Sequence, residues 1–158
     1  MQRIHRVVAE TILAALLAAT AGTVWASDTA QHRVVQGVEI YFGMLPSEIF
    51  HGHPKEHPEG TMHGGVPVTA NSYHLLVALF DPATGKRIGD AEVTAWVSES
   101  DKPGSPKKLE PMLMLGAASY GNYFNMPSPG PYQIHVQIRR PGISGVIEAE
   151  FDYLRARA

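Results

Sequence analysis

Cysteine is absent from the 158-residue chain. Its absence excludes disulfide frameworks, Cys-ligated zinc, iron–sulfur clusters and thiol catalysis, and leaves His, Met, Asp and Glu as the side chains able to hold a metal. Charge is sparse as well. With 18% charged residues and a formal net charge of -2, the sequence offers neither the basic field of a nucleic-acid binder nor the charge excess of a disordered chain. Long apolar runs are missing beyond Ile12 to Ala19. Glu10 and Thr11 interrupt that run and keep it below the roughly 20 residues of a membrane-spanning helix. Enzyme signatures are missing too: there is no Gly-x-Ser-x-Gly elbow and no Gly-rich phosphate loop with a Lys, so a non-enzymatic role is expected.

The first 26 residues read as a secretory signal peptide. Arg3 and Arg6 give a positive start, Ile12 to Ala19 is a short apolar core, and Val24-Trp25-Ala26 places small residues at the -3 and -1 positions of a cleavage site. Cleavage there leaves residues 27–158 as one exported domain, most simply periplasmic, with no later membrane span. A domain without disulfides in an oxidising compartment must be stable through its core alone.

Gly and Pro punctuate this domain at short intervals, and the segments between them are β-branched or aromatic, which favours strands over helices. Val34 to Phe42 reads as the first strand. Tyr73 to Phe80 is apolar on both faces, as a central strand requires, and Asp81-Pro82-Ala83-Thr84-Gly85-Lys86 follows as a turn. Ala91 to Ser98 alternates, Leu109 to Leu115 and Ser119 to Met126 pair around Gly116-Ala117, and Tyr132, Ile134, Val136 and Ile138 mark one face of a further strand. Pro141-Gly142 turns the chain into a last strand carrying Ile147, Ala149, Phe151 and Tyr153. The pattern predicts an all-β fold, an immunoglobulin-like (cupredoxin-like) antiparallel β-sandwich of about seven strands, with a barrel as the alternative.

One stretch, 43–70, fits no strand, and loops of that length usually carry function. It holds His51, His53, His57 and His63, bracketed by Met44 and Met62, with Glu48, Glu56 and Glu59 among them. Imidazole suits copper, zinc and nickel, whereas thioether sulfur is soft and selects Cu(I). Mixed His and Met donors in an exported, thiol-free chain therefore point to copper. The competing reading is a solvated His-rich tract with adventitious affinity. His74, at the start of a central strand, is either a hydrogen-bonded core residue or a ligand. Met112 and Met114 alternate with Leu113 and Leu115, so one strand face carries both sulfurs, and Met112 is either core or a ligand. Met126 sits at a sheet end where its sulfur is expected to be exposed, His135 on an outward strand face, and His32 in a flexible N-terminus.

The stretch from Gly64-Gly65-Val66-Pro67 through Tyr73-His74-Leu75-Leu76-Val77-Ala78-Leu79-Phe80-Asp81, then Thr84-Gly85-Lys86 and Asp90-Ala91-Glu92-Val93, resembles exported β-sandwich domains of the YtkA-like and copper-resistance-protein-C-like kind. Tyr123 to Val136, with Pro129-Gly130-Pro131-Tyr132, is similar to their closing segment. The resemblance implies a sandwich fold and an association with periplasmic copper handling or with accessory roles near respiratory complexes. Ser27-Asp28 at the expected mature start supplies no amino-terminal histidine, so the ligands are sought in the 44–63 loop and the sheet beside it.

The sequence therefore predicts a periplasmic copper carrier or chaperone, holding Cu(I) or Cu(II) with His51, His53, His57, Met62 and His63. Met44, His74 and Met112 stand as second-rank ligands, and the acceptor is a periplasmic or membrane-bound protein. Two alternatives stand beside it: a β-sandwich interaction module in which the His loop is incidental, and iron, zinc or nickel binding for uptake.

Overall fold

The structure is a computed structural model that describes residues 30–51, 62–99, 102–114 and 116–157. The proposed signal peptide, His53 and His57 lie outside the described residues. The described residues form eight strands: β1 (His32–Val35), β2 (Val38–Pro46), β3 (Ser72–Phe80), β4 (Glu92–Glu99), β5 (Lys107–Met114), β6 (Ala117–Asn125), β7 (Gly130–Arg139) and β8 (Ile147–Arg155). This is one more than the expected number. The segment read as a single strand, 34–42, is broken at Gln36 (φ 46°) and Gly37 (φ 74°), a two-residue turn with both φ positive that pairs Val35 with Val38. The strand β2 then runs on to Pro46, so the long connection begins at Ser47 rather than Gly43.

All neighbouring strands are antiparallel, in one sheet of order β1-β2-β3-β6-β5-β4-β7-β8. The sheet curls until its ends approach each other and is nearly barrel-shaped. The Arg33 guanidinium of β1 lies 5.4 Å from the Phe151 ring centre of β8, and Phe42 of β2 packs 4.8 Å from the same ring. The all-β antiparallel expectation stands.

Alternation decides the interior. Val38, Ile40, Phe42 and Met44 of β2, Leu75, Val77 and Leu79 of β3, and Tyr132, Ile134, Val136 and Ile138 of β7 all point inward, with Tyr120, Phe124, Ile147 and Phe151. Met126 is fully buried among them, which corrects the expectation of an exposed sulfur; its backbone N–H donates to the Asn71 carbonyl at 2.8 Å. Burying a side chain of that size contributes about 1.5–3 kcal/mol. His32 is likewise not in a loose tail. It opens β1, is buried, stacks 4.4 Å from Tyr41 and sits 3.0 Å from Glu39. The Asp81 turn forms as read: its carboxylate accepts from the Ala83 and Thr84 N–H groups at 2.9 and 3.0 Å, and Gly85 takes φ 65°.

A second, smaller cluster lies on the other face of β3, β6 and β5. His74 and Leu76 stand there beside Tyr123 and Gly121, and these beside Glu110 and Met112, as the registers His74↔Tyr123, Leu76↔Gly121, Gly121↔Glu110 and Ser119↔Met112 require. His74 and Leu75 are both buried although they point to opposite faces. The outer face is covered by the connection between β2 and β3.

Candidate metal centre

That connection first makes a short 3-10 turn, Ser47–Phe50, whose Phe50 is buried and meets His74 edge-on at 5.5 Å. His51 is exposed, and its Nε2 lies 3.0 Å from the Pro67 carbonyl oxygen. A carbonyl only accepts, so this nitrogen carries the proton and donates. The bond ties the outgoing arm of the connection to its return.

The return arm begins with a second short turn, Met62–Gly64. Three successive residues there take left-handed backbone: His63 (φ 57°), Gly64 (φ 82°) and Gly65 (φ 97°). The two glycines do so without cost, whereas His63 is held against its preference, a form of strain that concentrates at functional sites. The result points the His63 ring inward. Its side chain is 1% exposed, its centre lies 5.1 Å from the His74 ring and 5.7 Å from Tyr123, and its Nδ1 is 3.0 Å from a Glu110 carboxylate oxygen.

His74 is the anomaly of the site. It is 3% exposed, walled by Phe50, His63 and Tyr123, and neither ring nitrogen has a hydrogen-bond partner among the described residues. The Nε2 of His63 is buried and likewise has no partner among the described residues. Leaving buried polar atoms unpaired costs about 1–3 kcal/mol each, so native folds rarely keep them without a use. Burial, followed by the charge of His63, lowers the His74 pKa to about 4. The ring is neutral at physiological pH and keeps a lone pair for a Lewis acid.

The floor of the site is Gly121. A Cβ there would lie 2.7 Å from Nε2 of His74 and 2.9 Å from Sδ of Met112. Two strands that are not neighbours thus bring one imidazole and one thioether to the same small space, which exists because the strand between them has no side chain there. No group of three or more His, Asp or Glu side chains poised for a metal occurs among the described residues. The further group with a lone pair brought beside His74 is the Met112 thioether. Two imidazoles and a thioether form a borderline-to-soft, uncharged set that suits copper better than hard cations.

Of the sequence candidates, the structure brings together His63, His74 and Met112. Met44 lies in register with Leu75 on the core face of β2, across the sheet from His74. His51 is engaged with Pro67. His53, His57 and the side chain of Met62 lie outside what is described. The sequence reading missed Gly121, Glu110, Phe50 and Tyr123. A glycine inside an otherwise apolar strand, as in Ser119-Tyr120-Gly121-Asn122-Tyr123, is the signal that marks a close approach. His135 stacks 4.9 Å from Trp96 and pairs with Glu150 at 3.1 Å, away from the site's residues in sequence and strand.

No protein-family model matches the chain, and no curated protein matches its sequence. Solved structures do share the fold. A copper-bound variant of FetP from uropathogenic Escherichia coli is 14% identical, with a TM-score of 0.58 over 78% of this chain and 93% of that one. FetP as isolated, after expression in the periplasm, is 16% identical, with a TM-score of 0.57 over 80% and 94%. A DUF4426 family protein from Pseudomonas aeruginosa is 13% identical, with a TM-score of 0.56 over 80% and 96%. Among the described residues no helix is long and apolar enough to cross a membrane.

Proposed function

We propose that this chain is an exported, non-enzymatic copper-binding protein that carries the ion in the His63, His74 and Met112 pocket and hands it to a periplasmic or membrane-bound acceptor. The observation that carries this reading is the convergence of Nε2 of His74 and Sδ of Met112 over Gly121, with His74 buried and both its ring nitrogens without a partner among the described residues. Copper supplies the missing partner. The shared fold with a copper-bound FetP supports the same reading, as do the signal-like start of the sequence and the turn pattern resembling periplasmic copper-handling domains.

Transfer follows from where the donors sit. His74 and Met112 are fixed in strands, whereas His63 arrives on a connection and is held by one turn and one carboxylate. An acceptor can therefore replace the donors one at a time, beginning with His63. On this reading His51, His53, His57 and Met62 provide transient donors along the same connection, and Met44 serves the core.

The test is competitive titration of residues 27–158 with Cu(I), Cu(II), Zn(II) and Ni(II), in the native sequence and in His63→Ala, His74→Ala and Met112→Leu. One tight equivalent of copper is expected, weakened at least tenfold by each change, with zinc and nickel weaker. Copper affinity poorer than micromolar, or indifferent to His74 and Met112, sinks the proposal and favours an interaction module.

A further inference from the structure

The pocket's imidazoles and thioether bring no negative charge, and among the described residues the carboxylate that touches them, Glu110, does so from behind. Glu110 Oε2 lies 3.0 Å from Nδ1 of His63, on the side of the ring away from its buried Nε2, which has no partner among the described residues. An ionised carboxylate only accepts hydrogen bonds, so Nδ1 donates to it. A neutral imidazole holds a single N–H, and the proton at Nδ1 leaves Nε2 with its lone pair. The contact thus selects the tautomer, and with it the nitrogen that can coordinate.

Glu110 stands on β5 two residues before Met112 and opposite Gly121, so one strand supplies both the sulfur and the group that aims His63. It is 54% exposed while the His63 side chain is 1% exposed, so the negative charge stays solvated at the rim and its acceptor oxygen reaches the buried ring. The interior of the pocket is lined by Phe50 and Tyr123. A cation there is stripped of water, and any charge left uncompensated in such surroundings is costly. Two imidazoles and a thioether compensate none of it. Among the described residues Glu110 is the carboxylate beside the pocket, and from the solvated rim it offsets at most one unit.

We infer that Glu110 is the positioning residue of the site, fixing His63 as its Nδ1–H tautomer and balancing a single positive charge, so that copper is carried as Cu(I). The charge half of this inference rests on the copper reading above; the tautomer half does not. Carboxylates that orient a coordinating imidazole typically change metal affinity by about 10–100-fold when removed.

Two variants separate orientation from charge. Glu110→Gln keeps an oxygen able to accept from Nδ1–H and loses the charge; Glu110→Ala loses both. Long-range 15N–1H NMR of the metal-free protein is expected to show His63 as the Nδ1–H tautomer in the native chain and in Glu110→Gln, and as the Nε2–H tautomer or a mixture in Glu110→Ala. A native Nε2–H form, or an unchanged tautomer in Glu110→Ala, overturns the orienting role whether or not copper binds. With copper, Cu(I) is expected to bind at least a hundredfold more tightly than Cu(II), Glu110→Gln to weaken Cu(I) about tenfold, and Glu110→Ala to weaken it further. If the native protein binds copper but prefers Cu(II), or if both variants bind like the native chain, the charge-balancing role is wrong while the copper site stands. If the native protein binds no copper, that role falls with the site.

Discussion

Nε2 of His74 and Sδ of Met112 flank one small space over Gly121, the former from β3 and the latter from β5. Gly121 puts no side chain into that space, and the atoms a Cβ would meet first are the tips of these two donors. The backbone of Gly121 is not in the left-handed region, so alanine is conformationally allowed there.

Gly121→Ala is therefore a selective plug. The added methyl forces the imidazole and the thioether apart while leaving the strand hydrogen bonds alone, and alanine also lowers the entropy of the unfolded chain. Stability is expected to stay within about 1 kcal/mol of the native protein, with Cu(I) affinity reduced at least tenfold. Thermal melts alongside chelator competition check both, and native affinity in the variant would place the ion elsewhere.

A structural histidine and a ligand-in-waiting respond oppositely to an apolar replacement. His74 makes no hydrogen bond among the described residues, so His74→Leu removes buried polar atoms without orphaning a partner. The metal-free variant is expected to be as stable as the native chain or more stable by about 1 kcal/mol, and to lose copper-dependent stabilisation. Destabilisation by 2 kcal/mol or more in denaturant would show that the ring is holding the fold.

The same residue sets an acid limb. Burial, and then the charge of His63, hold its folded pKa near 4 against an ordinary 6.5. Between these values the unfolded chain binds a proton that the folded chain refuses, so stability rises with pH across the window and is lost as pH falls through it. Below pH 4 the accumulated loss is on the order of 3 kcal/mol. Urea midpoints measured from pH 7 to pH 4 are expected to fall less steeply in His74→Leu than in the native protein; parallel curves would show that His74 does not titrate in this way.

Most strands were legible because each carries its own evidence. The segments β3 to β8 alternate or run apolar between Gly and Pro turns, and Asp81 and Gly85 announce their turn chemistry locally. The β1–β2 turn was not legible, since Gln36 is not a residue that advertises positive φ; only the fold imposes it. The site was half visible. His63 drew attention through its crowded neighbourhood, but His74 and Met112 become partners only because β3 pairs with β6 and β6 with β5, a crossover order that period-2 alternation does not encode. Register is equally silent in the sequence: Met44, close to the His cluster along the chain, pairs with Leu75 and so lands on the opposite face from His74.

Met112 offers the sharpest separation of chemistry from packing. Leucine has nearly the same volume and is as apolar, so Met112→Leu is expected to cost less than about 1.5 kcal/mol of stability. It removes the only described sulfur that reaches the pocket and leaves both imidazoles in place. Because thioether favours Cu(I) while imidazole serves Cu(II) and zinc as well, the loss is expected to be uneven: Cu(I) affinity falls at least tenfold and Cu(II) and Zn(II) affinities change by less than about threefold. Equal losses for all three ions would mean that the side chain shapes the pocket and does not coordinate, and that the soft donor lies elsewhere on the connection.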